Sequence, residues 1–264
     1  MTLEIRDLSV SFDGRRVSHI DSLDLLPGKI VGLVGESGSG KSMSTNAILG
    51  LTDRLGATVT GSVRFDGIEL IGASNRIMRS VRGRRIAMIF QSPSSSFHPI
   101  LKVGEVFVRA LRLHGIKSQK VARSRSETAV AEMLLPASLL DRYPHQMSGG
   151  QLQRVAIALA LALDAEALLA DEPTSALDVT VQAEILALLA QLRDKGKLAV
   201  LLISHDLAAV AEVSDTIAVM RAGEMVEQGP ANRVILNPTM EYTRELLRAT
   251  PVLGQAHQRG GSSA

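Results

Sequence analysis

The sequence predicts an α/β fold built around a parallel sheet, and two patterns support this prediction. Four short apolar runs occur at residues 29–35, 85–90, 167–171 and 198–204. Their lack of polar alternation is typical of strands that are covered on both faces. Segments with helical periodicity lie between them, at residues 42–51, 151–163 and 179–193. Strands that alternate with helices in this way indicate an α/β core.

The chain begins with a strand of a different kind. Residues 3–12 alternate between polar and apolar side chains, which predicts a half-exposed strand. The alternation changes phase near Asp7, and such a change is typical of a β-bulge.

A helical insertion is predicted between two core strands. Residues 92–150 show no strand pattern and contain helical pieces at about 103–114 and 124–135. We therefore predict one domain over residues 1–252, with a helical subdomain at about 92–160. The segment 253–264 is small and polar, and we predict that it is disordered.

The composition limits the classes of function. The 264 residues carry a formal net charge of +2, from 29 Lys and Arg against 27 Asp and Glu, which is too balanced to indicate nucleic acid. The absence of cysteine excludes disulfides, thiolate metal sites and iron–sulfur clusters. The longest strongly apolar stretch, residues 155–163, is much shorter than the ~20 residues of a membrane helix. We expect a cytoplasmic protein that contacts a membrane only through a partner.

The segment "GESGSGKS" at residues 35–42 has the pattern of a phosphate-binding loop. Its glycines allow a tight turn whose N–H groups point inward. The dipole of the following helix also favours negative charge at the helix N-terminus. Lys41 is predicted to reach the β- and γ-phosphates and Ser42 to bind Mg²⁺. A dinucleotide loop would need a third glycine, which is absent here. The predicted nucleotide contacts are Gly35, Glu36, Ser37, Gly38, Ser39, Gly40, Lys41 and Ser42.

An acidic pair follows the apolar run "ALLAD". Asp171 is predicted to hold Mg²⁺, directly or through water. Glu172 is adjacent and therefore points elsewhere, where it can orient or deprotonate an attacking water.

A second glycine loop, "MSGGQ", precedes a strong helical segment. Ser148 is predicted to cap that helix, and the exposed N–H groups of Gly149 and Gly150 can hold a phosphate. Taken alone, these residues fit an ordinary helix cap somewhat better than a phosphate site.

The order of these motifs resembles that of the nucleotide-binding subunits of ATP-binding cassette (ABC) transporters. The segments "GESGSGKS", "QSP", "MSGGQ", "LLADEP", "SALD" and "SHD" occur in the order typical of that family. The resemblance, which runs from residue 3 to about 251, implies a RecA-like P-loop core. An antiparallel β subdomain and an inserted α-helical subdomain would complete it. It also implies an ATPase that uses ATP and Mg²⁺.

The resemblance also implies roles for further residues. Phe12 matches the aromatic that stacks on adenine, and Gln91 matches the residue that senses Mg²⁺ and the attacking water. His205 matches the histidine that contacts the γ-phosphate. Asp178 matches a residue at the seam of a head-to-tail dimer. The loop that would contact the nucleotide of the other subunit comprises Ser148, Gly149, Gly150 and Gln151.

Two other classes of function compete with transport. An ABC ATPase acting on nucleic acid could use the arginines between residues 76 and 85, although a solvated face explains them better. A small-molecule kinase would use the phosphate loop but would not explain "SGGQ".

Among transporters, a chain without membrane spans favours an importer made of separate subunits. The implied partners are a second ATPase subunit, two permeases that contact the Gln91 region, and indirectly an extracytoplasmic solute-binding protein. The implied location is the cytoplasmic face of the inner membrane.

The cargo is predicted less directly than the reaction. The segments "RYPHQMSGG", "FQSPSSSFHP" and "EYTRELLRATP" resemble those of the peptide/nickel importer group. In that group the peptide-type subunits tend to continue well past the last of these segments, and several carry cysteines there. Here only 13 residues follow Pro251 and the chain has no cysteine, so it looks more like the nickel-type subunits, which implies nickel or a nickel chelate as the cargo. Di- or oligopeptides are the alternative.

Overall fold

The structure, a computed structural model, describes residues 2–52, 55–196 and 198–249. It confirms the predicted α/β fold. The strands of the described segments are β1 (Leu3–Phe12), β2 (Arg15–Leu25), β3 (Ile30–Val34), β4 (Thr58–Phe65), β5 (Ile68–Glu69), β6 (Ile86–Ile89), β7 (Ala167–Asp171), β8 (Ala199–Ser204), β9 (Thr216–Arg221) and β10 (Glu224–Pro230). They form one sheet in the order β5-β4-β1-β2-β10-β9-β3-β8-β7-β6.

The helices lie between these strands along the chain. They are α1 (Lys41–Ile48), α2 (Asn75–Val81), α3 (Pro93–Ser96), α4 (Val103–Leu113), α5 (Gln119–Glu132), α6 (Gly149–Ala162), α7 (Val179–Asp194), α8 (Leu207–Val213), α9 (Ala231–Leu236) and α10 (Glu241–Ala249). Two short 3₁₀ segments, Ala137–Asp141 and Pro144–Gln146, precede α6. Among the described helices, none is long and apolar enough to cross a membrane.

The parallel half of the sheet contains the four strands predicted from apolar runs. Strands β3, β7 and β8 are buried along their whole length. The parallel pairs β6–β7, β7–β8 and β8–β3 bring their carboxyl ends to one edge of the sheet. In parallel sheets, ligand-binding loops converge at this edge. The predicted site residues lie in the loops that follow these strands.

The antiparallel half comprises β1, β2, β4 and β5, joined to the rest through the pairing of β10 with β2. The predicted bulge near Asp7 is confirmed, because the register of β1 against β4 shifts between Arg6 and Ser9. Asp7 itself has a left-handed backbone, with φ of 48°. Sequence patterns did not predict β2, β4, β9 or β10 as strands.

The helical insertion is confirmed, since residues 92–150 contain helices and no strand. Phe107 of α4, Val130 of α5 and Val155 of α6 are fully buried and belong to one core. The predicted start of α5 at residue 124 was wrong, because Ser118 caps the helix and accepts from the N–H of Val121. The polar residues of the first turns of α5 conceal its helical period. The domain limits stay a prediction, and the tail at 253–264 lies outside the described residues.

Candidate functional site

Four loops converge where the parallel strands end. The loop after β3 leads into α1, and Gln91 follows β6. Asp171 ends β7 with Glu172 directly behind it, and His205 follows β8. The sheet order places β3, β8, β7 and β6 side by side, so these loops share one edge.

The phosphate loop needs glycine at two positions where it touches neighbouring backbone. Gly35 has φ of 153°, and a Cβ there would lie 2.1 Å from the carbonyl oxygen of Met220 in β9. Gly40 has φ of 99°, and a Cβ there would lie 2.5 Å from the carbonyl oxygen of Val17 in β2. Residues with a side chain rarely adopt the backbone conformation of Gly40, and neither position has room for a Cβ atom.

Lys41 is buried and its ammonium group lies inside the loop. Nζ donates to the carbonyl oxygens of Gly35 and Glu36, both at 2.7 Å, and to Oγ of Ser39 at 3.2 Å. Burial lowers the pKa of Lys41, and the carboxylates of Glu172 and Asp171 oppose the shift. The ammonium group is thus held by neutral oxygens close to two acidic side chains, where it can exchange its carbonyl partners for an anion.

Ser42 and Asp171 meet across the site. Oγ of Ser42 donates a 2.8 Å hydrogen bond to Oδ1 of Asp171. Burial raises the pKa of Asp171, while the Ser42 hydrogen bond opposes this shift and Glu172 adds to it. A hydroxyl and a buried carboxylate in contact are oxygen ligands of the kind that Mg²⁺ takes. The two residues present therefore fit a magnesium site.

Glu172 is the centre of a second group of polar side chains. Its Oε2 accepts from Nε2 of Gln91 at 3.0 Å and lies 3.5 Å from Nδ1 of His205. Its backbone is left-handed, with φ of 46°, and its N–H donates to the carbonyl of Ile203 at 3.0 Å. This unusual backbone turns the side chain of Glu172 away from that of Asp171 and towards Gln91.

A cavity of about 850 Å³ adjoins this group. Glu36, Gln91, Glu172, His205 and Gly149 all line it. The cavity therefore brings together residues of the phosphate loop, the acidic strand end and the second glycine loop.

The second glycine loop forms the start of α6. Ser148 caps the helix, since its Oγ accepts from the N–H of Gln151 at 3.2 Å. The side chain of Gln151 in turn accepts from the N–H of Ser148 at 3.1 Å. This reciprocal pair is a capping box. Glycine at position 150 also has a packing reason, because a Cβ there would lie 2.5 Å from Cγ1 of Val181 in α7.

Of the predicted site residues, only some line the cavity, namely Glu36, Ser37, Gln91, Gly149, Glu172 and His205. Among the described residues that line it, neither Phe12 nor Asp178 is present. Phe12 ends β1, is partly buried and packs against the core that covers one face of both halves of the sheet. Asp178 caps α7, with Oδ1 accepting from the N–H of Val181 at 3.0 Å.

Sequence reasoning missed several residues at this site, among them Gln153, Leu246 and Tyr242. Gln153 lines the cavity, and neither of its buried amide atoms has a hydrogen-bond partner within the described part of the chain. Leu246 of α10 also lines the cavity, and the hydroxyl of Tyr242 contacts Glu36. The segment "EYTRELL" was noted as a group feature, but no pattern in it indicated contact with the phosphate loop.

Comparisons with known proteins agree with this fold and site. The family model described as "ABC transporter" matches residues 19–175. A putative peptide import ATP-binding protein of Brucella melitensis is 45% identical, over 95% of this chain and 77% of its own length. The dipeptide transport ATP-binding protein of Escherichia coli K12 is 43% identical, over 97% of this chain and 80% of its own length.

Two solved structures share the fold. The ATP-binding cassette MJ0796, in a dimeric post-hydrolysis state with ADP and Pi, is 28% identical with a TM-score of 0.75, covering 87% of this chain and 98% of its own. The protein cbiO1 from Clostridium perfringens, part of an ABC transporter complex, is 26% identical with a TM-score of 0.77, covering 89% and 90%.

The fold and the converging motifs define an ATP-binding cassette. The chain belongs to the ABC transporter family, as both the family model and the relatives over most of its length show. It is an ATPase of the kind that drives such transporters.

Proposed function

We propose that this chain hydrolyses ATP at the edge formed by the phosphate loop, Gln91, Asp171, Glu172 and His205, and thereby powers the import of peptides. The proposed hydrolysis is supported by two side-chain contacts that lie at the same edge of the sheet. Ser42 meets Asp171 at 2.8 Å, and Gln91 meets Glu172 at 3.0 Å.

The phosphate loop binds the triphosphate. Backbone N–H groups from Gly38 to Ser42 surround the β-phosphate, and Lys41 leaves the loop carbonyls to reach the β- and γ-phosphates. Phe12, at the end of β1, stacks on the adenine ring. Its partial burial leaves ring surface available for stacking.

Ser42 and Asp171 would hold Mg²⁺, and Gln91 would be a further ligand or sensor of the ion. When bound, Mg²⁺ would neutralise part of the negative charge on the phosphate oxygens. Asp171 serves this role because its burial makes an isolated carboxylate costly, so a cation beside it is stabilising.

Glu172 acts as the base for hydrolysis. It accepts a proton from a water whose oxygen attacks the γ-phosphorus, and the bond between the γ-phosphorus and the bridging oxygen breaks to leave ADP and phosphate. Gln91 donates to Glu172 and orients its carboxylate. His205 is 55% exposed, lies beside Glu172 and lines the cavity, so its ring is accessible for contact with the γ-phosphate.

Two copies of the cassette act together, with the loop Ser148–Gln151 of one copy meeting the nucleotide of the other. The start of α6 presents Gly149 towards the cavity, while Asp178 caps the neighbouring helix. Dimeric forms are described for the related cassette MJ0796. The second copy is identical or a paralogue.

Permease subunits dock near Gln91 on the cytoplasmic side of the inner membrane. Phe90 is 41% exposed and Ile100 is 74% exposed, and both flank the segment that follows Gln91. Exposed apolar side chains of this size suit a protein interface. A solute-binding protein outside the cell completes the system and selects the cargo.

Peptides are the cargo that the relatives support. Relatives at 45%, 43% and 41% identity carry names for peptide, dipeptide and oligopeptide transport. The nickel hypothesis depended on where this chain ends, and the comparisons do not support it. The peptide alternative therefore replaces nickel as the preferred cargo.

The arginines between residues 76 and 85 do not favour the nucleic-acid alternative. Arg82 donates to the carbonyls of Leu49 and Gly50 at the end of α1. Arg85 pairs with Glu166 at 2.7 Å and lies 4.4 Å from the centre of the Phe65 ring. Two members of the run thus serve the fold.

A strain that lacks the gene tests the proposal. We expect lost uptake of radiolabelled di- and oligopeptides and normal uptake of radioactive nickel, with uptake restored by the wild-type gene. A gene encoding E172Q should fail to restore it, although the protein is present in equal amount. Lost nickel uptake with normal peptide uptake would reverse the cargo assignment and leave the ATPase mechanism unchanged.

A further inference from the structure

The last described helix, α10, packs against the phosphate loop. The hydroxyl of Tyr242 accepts a hydrogen bond from the N–H of Glu36, at 3.2 Å. Tyr242 is only 5% exposed, whereas Glu36 is exposed, so the contact lies at the boundary of the core. Leu246, one turn further along α10, lines the same cavity as Glu36 and Ser37.

The peptide unit between Gly35 and Glu36 is held at both ends. Its carbonyl, on Gly35, accepts from Nζ of Lys41 at 2.7 Å, and its N–H, on Glu36, donates to Tyr242. The proposed function requires Lys41 to leave this carbonyl when it reaches the phosphates. Among the described side chains that bond this peptide unit, Tyr242 would then remain.

Tyr242 is itself fixed in place by its surroundings. The guanidinium of Arg221 lies 4.7 Å from the centre of its ring, a distance typical of a cation–π contact. Glu227 of β10, whose side chain is 1% exposed, accepts from the N–H of Thr239 at 2.9 Å and from that of Met240 at 3.2 Å. These bonds tie the residues just before α10 to the sheet, so the tyrosine is positioned before nucleotide arrives.

The neighbouring strands support the loop from another side. The N–H of Gly223 donates to the carbonyl of Ser39 at 3.1 Å. The carbonyl of Met220 lies directly against Gly35. The described contacts of the loop outside α1 thus include β2 at Gly40, β9 at Gly35, the β9–β10 turn at Ser39 and α10 at Glu36, and Tyr242 of α10 supplies a side-chain hydroxyl.

We propose that Tyr242 is a positioning residue for ATP binding, which fixes the Gly35–Glu36 peptide so that the loop keeps its shape when Lys41 moves to the phosphates. The proposal rests on the proposed function, because it takes the phosphate loop as the ATP site. It assigns a role to the "EYTRELL" segment, which hydrolysis by Glu172 does not use.

The test is the Y242F variant of the full chain, which removes only the hydroxyl. We expect its dissociation constant for ATP, measured by titration calorimetry, to rise about threefold to tenfold, as for one lost hydrogen bond. In steady-state hydrolysis, KM for ATP should rise by a similar factor while kcat stays within about twofold. Y143F makes the same chemical change in the other tyrosine, beside His145 in the helical insertion, and serves as the control.

The outcomes separate this inference from the proposed function. If Y242F binds ATP like the wild type while K41A loses binding, Tyr242 has no positioning role and the ATP site stands. A fall in kcat without a change in KM would also overturn the inference. If K41A itself binds ATP normally, the proposed ATP site is wrong.

Discussion

The hydroxyl of Ser42 donates to Oδ1 of Asp171 at 2.8 Å, across 129 residues of sequence. The contact joins the first turn of α1 to the end of β7. One partner belongs to the phosphate loop and the other to the acidic strand end, so the two motifs form a single site. Lys41 precedes Ser42 in the sequence and Glu172 follows Asp171. We expect Lys41 to act in ATP binding and Glu172 in hydrolysis.

Variants of Lys41 and Glu172 should separate these tasks. K41A should weaken ATP binding by about tenfold to a hundredfold, because it removes charged hydrogen bonds to phosphate. E172Q should bind ATP normally, hydrolyse it about 10² to 10⁴ times more slowly because the base is lost, and accumulate as an ATP-bound dimer. ATPase assays and light scattering with ATP measure both effects.

The control variant E132Q alters an exposed glutamate paired with Lys195 and should behave like the wild type. Near-normal turnover by E172Q would mean that Glu172 is not the base.

The loop at Ser148 should act on the nucleotide of a second copy. S148R should abolish hydrolysis and leave ATP binding by the isolated monomer intact. The substitution also removes the cap of α6, which costs about 1 kcal/mol of stability.

S118R is the matched control for S148R, because Ser118 caps α5 in the same way and accepts from the N–H of Val121 at 3.4 Å. It should cost similar stability in thermal unfolding and keep hydrolysis. Loss of ATP binding by monomeric S148R would instead mean that the loop acts on its own chain's nucleotide.

Close packing of α6 on α7 should make position 150 sensitive to a single methyl group. G150A would place Cβ 2.5 Å from Cγ1 of Val181, and we expect it to lower the free energy of unfolding by about 1 to 3 kcal/mol. Urea unfolding measures the change. Adding V181A should recover part of the loss, so that the double variant is less destabilised than the two single effects summed. Strict additivity would show that the two side chains do not compete for this space.

The buried charge of Asp171 should lower the free energy of unfolding at pH 7. D171N removes this charge and should therefore be more stable. Its pKa is raised in the fold, so at pH 7 the charged form is less favoured in the folded state than in the unfolded one. The folded state holds the proton more tightly, and this contribution to stability falls as pH rises from about 4 through the raised pKa.

D171N should therefore unfold at a higher temperature than the wild type at pH 7 without nucleotide, and the difference should shrink towards pH 4. Hydrolysis should be lost. An unfolding temperature for D171N at or below that of the wild type at pH 7 would contradict the charge argument.

Local chemistry made much of the site predictable. The loop at 35–42 is recognisable because its glycines and Lys41 are contiguous, and Ser148 was predicted as a helix cap because cap and helix lie next to each other. Buried strands such as β3 and β8 were predicted because apolar runs report burial directly. The order of the motifs identified the ABC resemblance, which the comparisons confirmed.

Other features were decided only by the tertiary structure. The strand order places β8 between β3 and β7, which brings Ser42 after β3 within reach of Asp171 at the end of β7. It also places β6 beside β7, which brings Gln91 to Glu172. The antiparallel strands β9 and β10 carry no strong pattern, yet their turn supports the phosphate loop. Tyr242 reaches Glu36 across 206 residues of sequence. Local periodicity records which face of an element is buried, whereas contacts between distant elements depend on how the whole sheet assembles. The sequence by itself therefore determined the chemistry available to this protein, and the packing of α10 and the sheet decided which groups hold the phosphate loop.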